Sequence, residues 1–447
     1  MTSSPTINLP PVALAGAYDV IVCGAGPAGL GAALAAGRGG ARTLLLERLG
    51  AIGGLAVHSP INTWCDTPGG RLFNELEERL AALGKVRRAF SPDRHVYPRG
   101  RAVLEGEALK LIAMEMLREA GVEVRLGTAF VQALTDNEQV TGVVVADKNG
   151  LFALSAMAVI DCTADADVAA AAGAECLKGD PADGRLMHVN FMFQILGADR
   201  EQYEARKPAT DDLLAIFAAA REQGELTVPP GCFRPRADTF PYVPGEDCLA
   251  LNSWEIEGVD CSDWATVNEL LGQCQVAALQ VVRFARAHLP GYENCAVGRV
   301  WDVLGTRESR RLVGRATLTG DDVLAARKFD DGIAQATFFI DFHDSPPGRS
   351  IPYTQDFRVS HAPPLGDWYE IPYGCLVPQR VTGLLVAGRC ISAAREGLAS
   401  MRVMPSCMFT GEAAGTAATL AAQRGLLPHE IDGRELKPLL MTPDELM

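Results

Sequence analysis

No Cys-x-x-Cys pair occurs anywhere in this chain of 447 residues, although it holds 12 cysteines. That removes the usual spacing of zinc ribbons, iron–sulfur clusters and thioredoxin-type redox pairs, and no metal site is expected. The cysteines are scattered from Cys23 to Cys407, several inside apolar runs, which reads as reduced buried thiols rather than a disulfide framework. Long apolar runs are missing too. Stretches such as Val381 to Ala387 fall well short of the about 20 residues that a bilayer-crossing helix needs, so no transmembrane helix is expected. Residues 1–17 contain no Lys or Arg and their apolar run is split by prolines; no secretory signal is expected, and the reading is a cytoplasmic protein. Positive charge is in deficit. A net charge of −14 repels polyanions, which argues against nucleic acid and anionic membrane as partners and leaves small molecules; oligomeric state is not legible.

With 48% hydrophobic and 21% charged residues, the chain has the composition of a globular protein able to build a large core, and its length suggests two domains. Tyr18 to Cys23 and Arg42 to Glu47 read as buried parallel strands, with an Ala/Leu-rich helix over Ala28 to Arg38 between them, a βαβ unit. Helical periodicity follows over Gly70 to Leu83 and Gly106 to Ala120, and a strand begins at Val122. Phe130 to Leu134, Val140 to Asp147 and Phe152 to Met157 alternate as a three-stranded antiparallel meander, and Ala158 to Asp161 returns to a buried strand. From 186 to 371 the texture changes, with more Pro, Trp, Tyr and Arg and irregular segments around Pro229 to Pro244 and Ser345 to Pro364. Leu384 to Gly388 is again a buried strand, and Pro405 to Gln423 an Ala- and Gly-rich helix. The expected fold class is α/β, mixed α+β overall: a Rossmann-like domain over 17–185 with a parallel sheet and antiparallel meander, an inserted substrate or cap domain over 186–371, and a return to the first domain over 372–447.

Gly24-Ala25-Gly26-Pro27-Ala28-Gly29 matches G-x-G-x-x-G between a strand and a helix. The first glycine permits the tight turn, the second lets backbone approach a pyrophosphate, the third lets helix pack on strand, and the helix N-terminus offers free N–H groups to phosphate. Eighteen residues past Gly29, Glu47 ends the second strand, where a carboxylate can accept hydrogen bonds from ribose; Arg48 follows it. Both NAD and FAD fit this far. Gly53-Gly54-Leu55 supplies a second stretch of bare backbone that a longer dinucleotide would use on its way to a flavin, which favours FAD.

With those residues, Val159 to Asp167 and Leu384 to Ser392, the sequence resembles the glutathione-reductase-like FAD oxidoreductases, and within them a bacterial group of FAD-dependent oxidoreductases, over most of its length. The resemblance implies that the strand around Phe130 meets adenine with its backbone, that Asp161 to Asp165 close over the adenosine side, and that Gly388 lies beside the ribityl chain and pyrophosphate. Many relatives carry Asp after that glycine; Arg389 stands here instead, which points to a phosphate. The resemblance also implies that the helix after Arg402-Val403-Met404-Pro405 aims its N-terminus at the flavin pyrimidine ring, a placement that suits negative charge on reduced flavin.

The chain has only 7 histidines. His343, read at the end of a strand Phe338 to Asp344 and oriented by Asp341 or Asp344, is the first choice for a base; His58, close behind Gly53-Gly54, is the second. For each, a satisfied structural histidine is the alternative. Cys65 lacks a redox partner at useful spacing and reads as a buried thiol. Arg307-Glu308-Ser309-Arg310-Arg311 is the densest basic cluster; at helical spacing Arg307 and Arg311 share a face and invite a carboxylate or phosphate, the alternative being a solvated face paired with Glu308 and Asp302. The group just named carries a similar Arg-Glu-x-Arg stretch. Tyr373, at the junction of the two domains, could offer its hydroxyl to substrate or simply pack there. No second G-x-G-x-x-G follows a strand, so no dedicated NAD(P)H domain is expected. The expected activity is oxidation of a small organic molecule at a C–H next to oxygen or nitrogen. A flavin-dependent C=C reductase or isomerase and a non-catalytic FAD-binding protein remain open.

Overall fold

The computed structural model describes residues 12–59, 61, 63–65, 70–89, 101–227, 248–250, 256–343 and 355–441. Asp344 and most of the irregular segments named above lie outside these residues. Its centre is a seven-stranded sheet. Strand β1 (Ala13–Cys23) leads through helix α1 (Pro27–Arg38) to β2 (Thr43–Leu46), which pairs parallel to β1. The long strand Gly150–Asp161 lies parallel to the other edge of β1. Its free edge is divided: the first half takes the meander strand Gln139–Asp147 antiparallel, and the last residues take Leu384–Val386 parallel. The meander and the strand after it, expected as separate pieces, are therefore one continuous ladder.

Why β1 and β2 read as unbroken apolar runs is visible in their packing. Val20, Val22 and Leu45 face one layer, with α1 and the helix Met404–Arg424, while Ile21, Cys23, Leu44 and Leu46 face a second layer closed by the meander. Strands covered on both sides have no face to leave polar. α1 and the C-terminal helix lie so close that a side chain at Gly31 would meet the Met408 carbonyl, and one at Gly411 or Gly415 the carbonyls of Ala28 and Ala32. The Ala/Gly composition of both helices is a requirement of this contact, since overfilling it forces backbone apart.

A second apolar cluster runs from Val189 to Leu304 around the helix Trp264–His288 and the strands Phe193–Leu196 and Ala296–Val300, with Phe217 stacked on Phe284 at 4.4 Å. From Leu312 onward side chains rejoin the first two layers: Leu318, Ile333 and Ile371 belong to the cluster of α1. By packing, the separate body within 186–371 ends near residue 304, because the antiparallel pair Gly332–Ala336 and Tyr369–Pro372 is buried against the main core.

A buried ion cluster lies where the chain leaves the main core near Met187 and rejoins it near Glu308. Glu308, wholly buried, accepts from the Met187 N–H at 2.9 Å and pairs with Arg311 at 2.5 Å and Arg395 at 3.1 Å; Arg395 also meets Asp180 at 3.0 Å. Burial pulls the Arg311 guanidinium's pKa down, against the Glu308 charge that supports it. The helical spacing expected for Arg307 to Arg311 is not found: Arg307 is in an irregular segment and lines a groove, whereas Arg311, in the strand Arg310–Leu312 paired with Cys176–Lys178, is buried against Glu308. Glu308→Gln is expected to destabilise the protein by about 3 kcal/mol or more, read in urea melts, because two buried guanidiniums lose their counter-charge. A loss below about 1 kcal/mol would show the charge to be dispensable.

Candidate functional site

The carboxyl ends of β1, β2, Gly150–Asp161 and Leu384–Val386 open on one groove of about 1060 Å³. A crevice at this place, where the connections after the neighbouring strands β1 and Gly150–Asp161 run to opposite sides of the sheet, is where open α/β sheets bind ligands. Gly24, Gly26, Pro27, Ala28, Glu47, Arg48, Gly54, Leu55, Phe130, Asp165, Gly388, Arg389 and Met404 all line it, as do His58, Arg307 and His343.

The glycine turn is built from mutual backbone contacts. Gly24 has φ +98 and a side chain there would strike the Cys162 carbonyl, while one at Gly29 would strike the Gly24 carbonyl. Gly26 differs. Its φ of −73 suits any residue, and an added Cβ would meet only the Cα of Gly54, at 3.8 Å, so the space above it belongs to the groove. Helix α1 starts there with no side-chain cap and no acidic residue in its first turn. Bare backbone and an uncapped helix N-terminus fit a diphosphate.

Glu47 bridges the turn: its carboxylate accepts from the N–H groups of Ala25 and Leu49, each at 2.9 Å. Gly53, expected as a second approach to the ligand, is not on the groove wall. Its N–H donates to the Ala25 carbonyl at 2.8 Å, and Gly54 sits so close that a side chain would come within 2.7 Å of the Gly26 Cα. Gly53 supports the turn from behind, while Gly54 stays on the groove wall. Arg48 lies over the Trp264 ring at 5.1 Å, linking the groove rim to the second body.

Asp161 also departs from expectation. It is fully buried away from the groove, where its carboxylate accepts from Thr163 N–H (3.0 Å), Thr163 Oγ1 (2.7 Å) and Ala169 N–H (2.9 Å). These bonds fold the loop 162–167, in which Ala164 (φ 70) and Ala166 (φ 55) hold left-handed backbone, a strained arrangement of the sort that persists where surrounding contacts over-determine it. The loop delivers Asp165 to the groove. There Asp165 pairs with Arg389 at 2.5 Å, and Ser309 hydrogen-bonds both. Arg389 is thus on the wall as expected, but its charge is already countered within the protein. Burial opposes that charge, and the Asp165 carboxylate more than restores it.

Desolvation pushes the Asp161 carboxyl up to about 6, against its three hydrogen bonds. The native state therefore takes up a proton more readily than the unfolded chain, and this group's contribution to stability is greatest below about pH 4 and is lost, by roughly 3 kcal/mol, as pH rises through about 6. Asp161→Asn lacks that term, so its stability relative to the wild type is expected to improve between about pH 4.5 and about pH 7.5 in urea melts; a constant difference would refute the shift.

A second neighbourhood on the groove wall comes from five separate stretches. His343 Nε2 lies 3.1 Å from Asp341 Oδ2, and Arg402 reaches the same oxygen and the Asp341 carbonyl, each at 3.0 Å. Burial pushes the Asp341 carboxyl up, but the His343, Arg402 and Arg307 charges outweigh it and hold the group well below the usual carboxylate range. Arg307 donates to the His188 carbonyl at 2.6 Å, and the His188 N–H donates to the His343 carbonyl at 2.7 Å. The strand expected over Phe338 to Asp344 ends at Ala336; the segment beyond is irregular, tied by the Ile340 N–H to the His361 carbonyl at 2.8 Å. His58 faces the groove with Nε2 2.9 Å from the Ala51 carbonyl. Tyr373 does not reach the groove: it is buried, and its hydroxyl donates to the Pro428 carbonyl at 2.7 Å. Arg358 and Cys407 line the groove without having been singled out; the stretches Phe338 to Asp344 and Arg402 to Pro405 hinted at this wall.

Sheet, turn and groove define a Rossmann-like dinucleotide-binding protein. The chain belongs to the FAD-dependent oxidoreductase family, whose pattern matches residues 19–440, and FAD is its cofactor. Among curated proteins, none matches. Solved structures similar to it include a geranylgeranyl bacteriochlorophyll reductase-like protein from Thermoplasma acidophilum, 14% identical over 92% of this chain and 80% of that one with a TM-score of 0.43. A flavin-dependent brominase is 11% identical over 93% and 81%, with a TM-score of 0.44. Similarity at this level says nothing of substrate. Among the described residues no helix is long and apolar enough to cross a membrane, and no group of three or more His, Cys, Asp and Glu is placed to hold a metal.

Proposed function

We propose that this protein dehydrogenates a small organic molecule at a C–H next to oxygen or nitrogen, and that it groups with the glutathione-reductase-like members of the FAD enzymes. FAD, when bound, accepts the two electrons of such an oxidation. Gly24, Gly26 and Ala28 would hold its diphosphate at the start of α1, Glu47 its ribose, the backbone near Phe130 its adenine, and Gly388 with Met404 its remaining length.

The observation that carries the reading is the Asp341–His343 pair on the groove wall. A carboxylate held charged beside the ring keeps the proton on Nε2 and makes Nδ1 the accepting nitrogen, the form a base must have to take a substrate O–H or N–H proton. Arg402 fixes Asp341 from the other side, so the pair is oriented before substrate arrives. The absence from the sequence of a second dinucleotide turn favours reduction of the flavin by substrate over reduction by NAD(P)H.

Anaerobic titration with candidate alcohols, hydroxy acids and amines, followed by flavin absorbance, tests this directly. The expected result is bleaching by a donor that is recovered dehydrogenated. Bleaching only by external reductants would overturn the proposal.

A further inference from the structure

Among the described residues that line the groove around His343, two arginines, Arg358 and Arg402, stand beside one carboxylate, Asp341, in a chain whose net charge is −14. Asp341 is shared between Arg402 and His343. Arg358, half-buried on the helix Gln355–Ser360, is the odd one: it forms no ion pair or hydrogen bond among the described residues, its Nε is buried without an acceptor, and its guanidinium lies over the Phe339 ring at 5.8 Å. Arg402 Nε is likewise buried without an acceptor. A guanidinium that has given up water at one donor without a protein acceptor is unfavourable alone and is made good by an anion that bonds it. Beside it Phe338 and Phe339, 4.6 Å apart, are packed with Val403 and Cys65 as an apolar patch that also faces the groove.

We infer that this wall binds the carboxylate of an organic acid with an apolar or aromatic body, Arg358 taking the carboxylate and Phe338 with Phe339 the body. The inference rests on the reading of this groove as the substrate site. It goes further in naming the substrate class, and Arg358 in it is a specificity residue. Stacking on Phe339 pre-orients the planar guanidinium, which suits the two oxygens of a carboxylate.

Benzoate and phenylacetate, with benzamide and phenylacetamide as their uncharged counterparts, are the probes. Each is titrated into the FAD-loaded protein, with binding read as a flavin difference spectrum and by calorimetry. The acids are expected to bind at least about tenfold tighter than the amides, the discrimination of a charge-assisted hydrogen bond. Arg358→Gln is expected to abolish that preference with FAD content unchanged, and Arg358→Lys to keep part of it. Equal affinity of acids and amides for the wild type, no binding by any of the four, or an unchanged preference in Arg358→Gln would overturn the inference. Because the measurement is of binding, it stands apart from turnover: an acid preference with no donor that bleaches flavin would leave the anion site in place and remove the dehydrogenase reading.

Discussion

Gly26→Leu is expected to yield a folded, colourless protein. The backbone at this position is extended, with φ −73, so a side chain introduces no strain, and its Cβ would touch only the Gly54 Cα at 3.8 Å. The protein therefore tolerates the substitution in its own packing. What the leucine fills is the space over the N-terminus of α1, which a diphosphate must occupy to reach the free N–H groups there. Loss of those contacts is expected to weaken FAD binding at least about a hundredfold, since each tenfold corresponds to about 1.4 kcal/mol. Absorbance of the purified protein after incubation with FAD, beside the thermal melts of the two apoproteins, decides it. Matching apoprotein melts with lost yellow colour are expected; stoichiometric cofactor in the variant would refute the placement of the diphosphate. Gly24 is no substitute for this test, because at φ +98 and facing the Cys162 carbonyl it fails by misfolding whatever it binds.

His343→Gln is expected to slow flavin reduction by a productive donor by about 100-fold to 10,000-fold, the usual contribution of a positioned base, with a much smaller change in apparent donor affinity. Asp341 should contribute no titration to the rate in the neutral range, because His343, Arg402 and Arg307 keep it ionised against the cost of its burial. Stopped-flow reduction under anaerobic conditions across the neutral range measures both. A variant with an unchanged rate would place the base elsewhere, with His58, also on the groove wall, next in line.

Local chemistry made much of this protein legible from its residues. The glycine turn, the two buried strands and the carboxylate of Glu47 lie within 30 residues, and each has a reason that does not depend on the rest of the chain: a turn that only glycine makes, a helix start that only bare backbone leaves open, strands apolar on both faces. The meander followed from alternation and turn residues for the same reason. Gly53 and Asp161 were legible as near the site but support it from outside the groove, because spacing places a residue near a ligand without saying which neighbour takes its hydrogen bonds.

The second neighbourhood was of another kind. Its residues come from 188–192, 303–307, 338–343, 358 and 402–404, brought together only when the segments after residue 304 pack back onto the core of α1. Arg307 to Arg311 looked helical because charges four apart suggest one face, yet its pairing with Cys176–Lys178 made it a strand and turned Arg311 inward to Glu308. Tyr373 looked like a boundary residue and was buried beneath Pro428. The sequence by itself determined the glycine-turn end of the groove, where a short stretch of backbone is left bare at the start of a helix. Only the tertiary structure decided which side chains face the rest of it, because long-range packing, not local propensity, chooses among polar residues that the sequence leaves equivalent.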